Sequence, residues 1–100
     1  MTVISKERVD AETVRAVIEI VNQLGLHARA AALVVQTLGP LNASVELSKD
    51  GETVDGRSIL GVMSLGAGEG SWLDVTCSGP DAAAALAALE TLFDQKFHEE

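Results

Sequence analysis

One hundred residues carrying a formal charge of −8, a single cysteine and 47% hydrophobic content describe one folded acidic domain with a modest core. The charge excludes nucleic acid, which selects a basic patch, and an anionic membrane surface. The lone Cys77 excludes an internal disulfide framework and a cysteine-based metal cluster, and it reads as a small buried apolar residue. Met1 to Asp10 has no apolar segment of the signal-peptide kind. No apolar run approaches the roughly 18 residues of a membrane span. The expectation is a cytoplasmic domain with no membrane insertion, no metal and no cofactor.

Residues 1–13 hold Lys6, Glu7, Arg8, Asp10 and Glu12 with little periodicity, and read as a frayed or weakly helical N-terminal extension. Val14 to Val21 alternates, with Val14, Ala16, Ile18 and Ile20 inward and Arg15 and Glu19 outward, which predicts a strand. Asn22 to Leu26 is a turn. A helix follows from about Ala28 to Leu38, with Ala31, Val34, Val35 and Leu38 as its buried stripe and Gly39-Pro40 as its stop. Ala43, Val45 and Leu47 alternate with polar residues in a second strand. Asp50-Gly51 turns it into a short third strand, Glu52 to Asp55.

Ser58 is a good N-cap for a second helix ending near Ser64. Val62 and Leu65 can point inward together, but Ile59, Leu60 and Met63 cannot all join them. Two readings of these three stand side by side: an exposed contact patch, or packing beneath the first helix. The glycines of Gly66-Ala67-Gly68-Glu69-Gly70 lack the strand-to-helix context of a nucleotide cradle. Trp72 to Cys77 is a fourth strand, with Leu73, Val75 and Cys77 inward. Pro80 and Asp81 open a third helix reaching about Phe97, striped by Ala82, Ala85, Leu86, Leu89, Leu92 and Phe93, with His98 at its frayed end. The order βαββαβα makes an α+β two-layer domain with one sheet face in water.

Gly25-Leu26-His27-Ala28-Arg29 is the chemically suggestive stretch. A histidine where loop becomes helix lies beside N–H groups that have no intrahelical partner. With the helix dipole and the Arg29 donor fork, these make a phosphate cradle next to a nucleophilic imidazole. The plainer reading of the same pentapeptide is a cap or a surface residue.

A second stretch, Arg57-Ser58-Ile59-Leu60-Gly61-Val62-Met63-Ser64-Leu65-Gly66, decides between them. The order and spacing of the two stretches resemble HPr, the histidine phosphocarrier family of the bacterial phosphotransferase system. The resemblance covers residues 14–98, the proposed domain beyond the extension. It implies an open-faced sandwich, a four-stranded antiparallel sheet with three helices on one face. It implies that Nδ1 of His27 accepts the phosphoryl group, that Arg29 contacts its oxygens and that the Ala28 and Arg29 amides stabilise it. Ser58 matches the serine that HPr kinase/phosphorylase modifies in some members. Ile59, Leu60 and Met63 match the patch that docks enzyme I and enzyme IIA components. The family commonly has proline after the arginine, where this chain has Ala30. The implied protein is a monomeric carrier and not a turnover enzyme. The alternative is a regulatory module of the same fold, Ser58-controlled or serving a nitrogen branch, with little part in sugar transport.

Overall fold

A computed structural model of the chain describes residues 2–99. In chain order it runs β1 (Val3–Asp10), β2 (Thr13–Glu19), α1 (Ala28–Leu38), β3 (Ser44–Lys49), β4 (Glu52–Asp55), α2 (Ile59–Ser64), β5 (Trp72–Ser78) and α3 (Ala82–Asp94). One sheet takes all five strands in the order β1-β2-β5-β3-β4, antiparallel at every pairing.

Alternation builds the core as the pattern requires. Val14, Ala16 and Ile18 of β2, Val45 and Leu47 of β3, and Leu73, Val75 and Cys77 of β5 are buried. Their neighbours in the chain face the other way, so one side of the sheet meets the helices and the other meets water. Every residue expected in the α3 stripe is buried, as are Ala31, Val34 and Leu38 of α1. Val35 is only half-buried. Helix α3 lies on β2 and β5, and α1 packs against α2 and α3. Cys77 is fully buried, and burial pushes its thiol up to about 11. It is an apolar core residue, held protonated at neutral pH.

Two expectations fail, both at chain ends. The sheet has five strands, not four, because residues expected to be frayed or weakly helical form β1. The backbone of β1 pairs with β2, while its side chains stay exposed except for a half-buried Val3. A strand held by ladder bonds with neither face buried leaves no hydrophobic alternation to detect. Thr2, just before it, is buried. Its N–H and hydroxyl donate to Asp94 of α3 at 3.0 and 2.7 Å, and its carbonyl accepts from Glu19 N–H at 2.7 Å.

The other failure is at the far end. Helix α3 stops at Asp94, not Phe97. Lys96, Phe97 and His98 are all left-handed, with φ of 55°, 56° and 58°. Three such residues in succession reverse the chain, at a steric cost that side chains other than glycine resist. Two contacts hold the reversal. Phe97 is buried edge-to-face on Phe93 with ring centroids 4.9 Å apart, and Glu99 lands on the loop that precedes His27. His98 is therefore exposed in a turn and does not extend the helix axis, so it is no partner for the helix dipole.

Candidate functional site

Gly25 sets the 22–26 loop. It is left-handed (φ 66°), and a Cβ there would lie 2.4 Å from the Ala67 carbonyl oxygen. Only glycine meets both conditions. The close approach lets Leu26 N–H donate to that same oxygen at 2.9 Å, so the 66–70 loop backs the 22–26 loop.

His27 follows with extended backbone (φ −73°, ψ 179°) as the N-cap of α1. Its carbonyl accepts the first helical bond, from Ala31 N–H at 2.9 Å. No side chain caps this helix. The N–H groups of Ala28 and Arg29 therefore stand at the open positive end of an eleven-residue helix. The Arg29 side chain is exposed and makes no ion pair or hydrogen bond among the described residues. Ala30, the third helical residue, is fully buried against the core.

Glu99 completes the site from the far end of the chain. Its carboxylate accepts Gln23 N–H at 2.7 Å, Leu24 N–H at 3.1 Å and the Asn22 side-chain amide at 3.2 Å. It faces His27 Nε2 at 3.9 Å. Burial opposes its charge, but hydrogen bonds from Leu24 N–H, Asn22 and Gln23 N–H, together with His27, hold the carboxyl below its ordinary 4.5. Asn22 is buried, and its amide also donates to Gly25 O at 2.8 Å. Leu24, His27, Arg29, Phe97 and Glu99 line one open recess of about 380 Å³.

The chemistry available there is nucleophilic. The imidazole has a carboxylate 3.9 Å from its Nε2, and in its neutral form an imidazole carries a nucleophilic nitrogen lone pair. An incoming anion would meet the N–H groups of the helix start and a guanidinium whose five donors have no partner among the described residues.

The second signature stretch lies apart from the recess, on α2. Ser58 caps that helix, its Oγ accepting Gly61 N–H at 3.0 Å. Val62 and Leu65 are buried, while Ile59, Leu60 and Met63 are exposed, Leu60 at 80%. Leu24 is also exposed, at 64%, beside His27. Arg57 has a structural task. It donates to Leu38 O at 2.9 Å, to Ala43 O at 2.8 and 3.2 Å, and to Leu41 O, tying down carbonyls where α1 ends.

Sequence reasoning missed Asn22, Leu24, Phe97 and Glu99 as parts of the site. Asn22 and Leu24 sit in a segment that reads only as a turn. Phe97 and Glu99 arrive through a left-handed reversal that no local pattern announces.

Comparison with known proteins agrees with this geometry. The family model described as the PTS HPr component phosphorylation site matches residues 14–95. The phosphocarrier protein HPr of Treponema pallidum (strain Nichols) is 45% identical over 83 residues, 83% of this chain and 94% of that protein. The crystal structure of HPr-C-His from Thermoanaerobacter tengcongensis superposes with a TM-score of 0.81 at 42% identity, covering 86% of this chain and 97% of that one. A crystal structure of an HPr dimer from the same organism gives 0.69 at 43% identity, over 82% and 94%. Fold, signature stretches and relatives converge, and the chain belongs to the HPr family of phosphotransferase-system phosphocarriers.

Proposed function

We propose that His27 is the phosphoryl acceptor, charged by phospho-enzyme I and discharged to enzyme IIA components. The observation that carries this is an imidazole placed as the last residue before a helix start that no side chain caps, with Arg29 beside it and unengaged among the described residues. In the forward step the His27 Nδ1 lone pair forms a bond to phosphorus while the donor's bond to that phosphorus breaks. Arg29 and the Ala28 and Arg29 amides take the phosphoryl oxygens. In the second step the acceptor displaces His27 from phosphorus in the same way. Imidazole suits both steps, being a nucleophile and a fair leaving group near neutral pH.

Exposed Leu24, Ile59, Leu60 and Met63 serve as the apolar docking surface for both partners in turn. Ser58 at its rim is the regulatory position, open to HPr kinase/phosphorylase where that enzyme is present. Residues 14–98 are the phosphocarrier unit in this reading. One carrier meeting two partners in succession needs only a single copy, in the cytoplasm where the donor works.

The test is incubation with phosphoenolpyruvate and enzyme I, read by mass spectrometry. The expected product is one acid-labile, base-stable phosphate on His27 and none on His98. A His27→Ala chain that still accepts phosphate, or a wild-type chain that never does, overturns the reading.

A further inference from the structure

The family match begins at Val14, so β1 is an addition to the matched domain, and its construction is unusual. It is held by its backbone and a few side-chain pairs, and only its first residue, the half-buried Val3, packs against the core. Besides the Thr2–Asp94 bonds, Lys6 pairs with Glu90 at 3.2 Å and Glu7 with Arg15 at 3.3 Å. Its register on β2 shifts twice, between Val3 and Ser5 and between Arg8 and Asp10. The turn into β2 is poorly suited to a hairpin. Neither Ala11 nor Glu12 has a positive φ, whereas Asp50 and Gly51, in the β3–β4 turn, have φ of 51° and 84°. Two-residue hairpins favour the latter geometry because it matches the strand twist.

What β1 covers is regular. Strand β2 pairs with β5 through seven consecutive residues without a break, Thr13 to Glu19. It holds no proline and no glycine. Uncovered, it would present an even edge of backbone donors and acceptors, the kind that recruits another strand. The opposite edge of the sheet, β4, is only four residues long. The β2 sequence is also self-complementary. An antiparallel pairing of two β2 strands centred on Val17 sets Arg15 opposite Glu19 of the second copy, twice by symmetry. It places Val17 against Val17 on the open face and Ala16 against Ile18 on the core face. Arg15 now spends one of its ion pairs on Glu7 of the cover.

We propose that β1 is a detachable cover over a self-pairing edge, and that the β2 edge beneath it fits β2 of a second copy of this chain. Covered, the chain is a monomer; with β1 displaced, two copies join into one continuous sheet. The proposal does not rest on the phosphocarrier reading.

The test uses the full chain and light scattering coupled to size exclusion. Wild type should run at the mass of one copy, 10.4 kDa. Lys6→Pro/Glu7→Pro should run as two copies at high concentration. Adjacent strand residues point their N–H groups to opposite sides, so this pair removes one ladder donor to β2 whichever residue supplies it. Asp94→Ala/Lys6→Ala, which removes the acceptor of both Thr2 bonds and the Lys6–Glu90 pair and spares the ladder, should dimerise in the same direction but more weakly. Adding Val17→Lys to the proline pair sets two like charges face to face and should restore the monomer. The proposal falls if both anchor and proline variants remain monomeric, if wild type is already dimeric through β2, or if Val17→Lys leaves the dimer intact. It falls equally if the proline pair unfolds the chain, because β1 would then be part of the core and not a cover.

Discussion

The two signature stretches contain the same parts put to opposite uses. Each begins a helix, and each carries an arginine and a small polar or imidazole cap residue. At Ser58 the hydroxyl takes Gly61 N–H, and the neighbouring Arg57 spends its donors on three carbonyls. At His27 the helix start keeps its N–H groups, and Arg29 has no partner among the described residues. A helix start that caps itself has nothing left for a ligand, whereas one left open is an anion site. The difference lies in which donors the fold has already consumed, and it separates an arginine bound to carbonyls from one with no partner among the described residues.

The sharpest way to break that contrast is to exchange the fates of the two arginines. Arg29→Ala should slow phosphoryl transfer on the order of 100-fold, as loss of a donor to a developing anion does. Its melting temperature should stay near that of wild type. Arg57→Ala should do the reverse. Freeing the carbonyls of Leu38, Leu41 and Ala43 should cost about 3 kcal/mol, or roughly 12–24 °C in melting temperature, with transfer per folded molecule unchanged. Thermal melts beside single-turnover phosphorylation check both, and equal damage from Arg29→Ala would recast it as structural.

A smaller effect tests the Ser58 cap. Ser58→Ala should cost about 1 kcal/mol. Ser58→Asp keeps an N-cap acceptor and adds charge at the positive helix end, so it should hold or raise the melting temperature. The same charge at the rim of Ile59, Leu60 and Met63 must be desolvated when a partner docks, so His27 phosphorylation by enzyme I should slow several-fold, with partial recovery in salt. An early melt or an unchanged rate would reduce Ser58 to a cap with no bearing on docking.

The smallest effect concerns the Glu99 clasp on the His27 loop. Its carboxyl is depressed below 4.5, so the clasp is fully present above that value and is lost as pH falls through the lower folded-state one. The amide resonances of Gln23 and Leu24 should therefore move together in that acidic window by NMR. They should not move there in Glu99→Gln. If they titrate alike in both chains, Glu99 is not what holds the loop.

Much of this was legible from residues 14–94. The strands β2, β3 and β5 alternate because one face of each meets helices, and the short β4 reads as a polar edge. Asp50-Gly51 announces its hairpin, and Ser58 announces its cap. His27 and Arg29 stood out because a turn glycine and an apolar helix stripe fix them at a helix start. These are local signals, and local sterics and burial periodicity enforce them. The exposure of Ile59, Leu60 and Met63, which periodicity left open, needed the packed position of α2 to decide it.

The sequence by itself determined the layered α+β order, the inward and outward faces of the three inner strands and α3, and the histidine at an open helix start. Only the tertiary structure decided that residues 3–10 are a strand, that Arg57 is a staple while Arg29 has no partner among the described residues, and that Glu99 faces His27. Each of these depends on partners far away in the chain: β2 for the first strand, the end of α1 for Arg57, and the 22–24 amides for Glu99. A backbone pairing with no buried face, a guanidinium aimed at distant carbonyls and a left-handed reversal leave no periodic trace in the residues that make them, because the energy that holds them comes from contacts the local sequence does not contain.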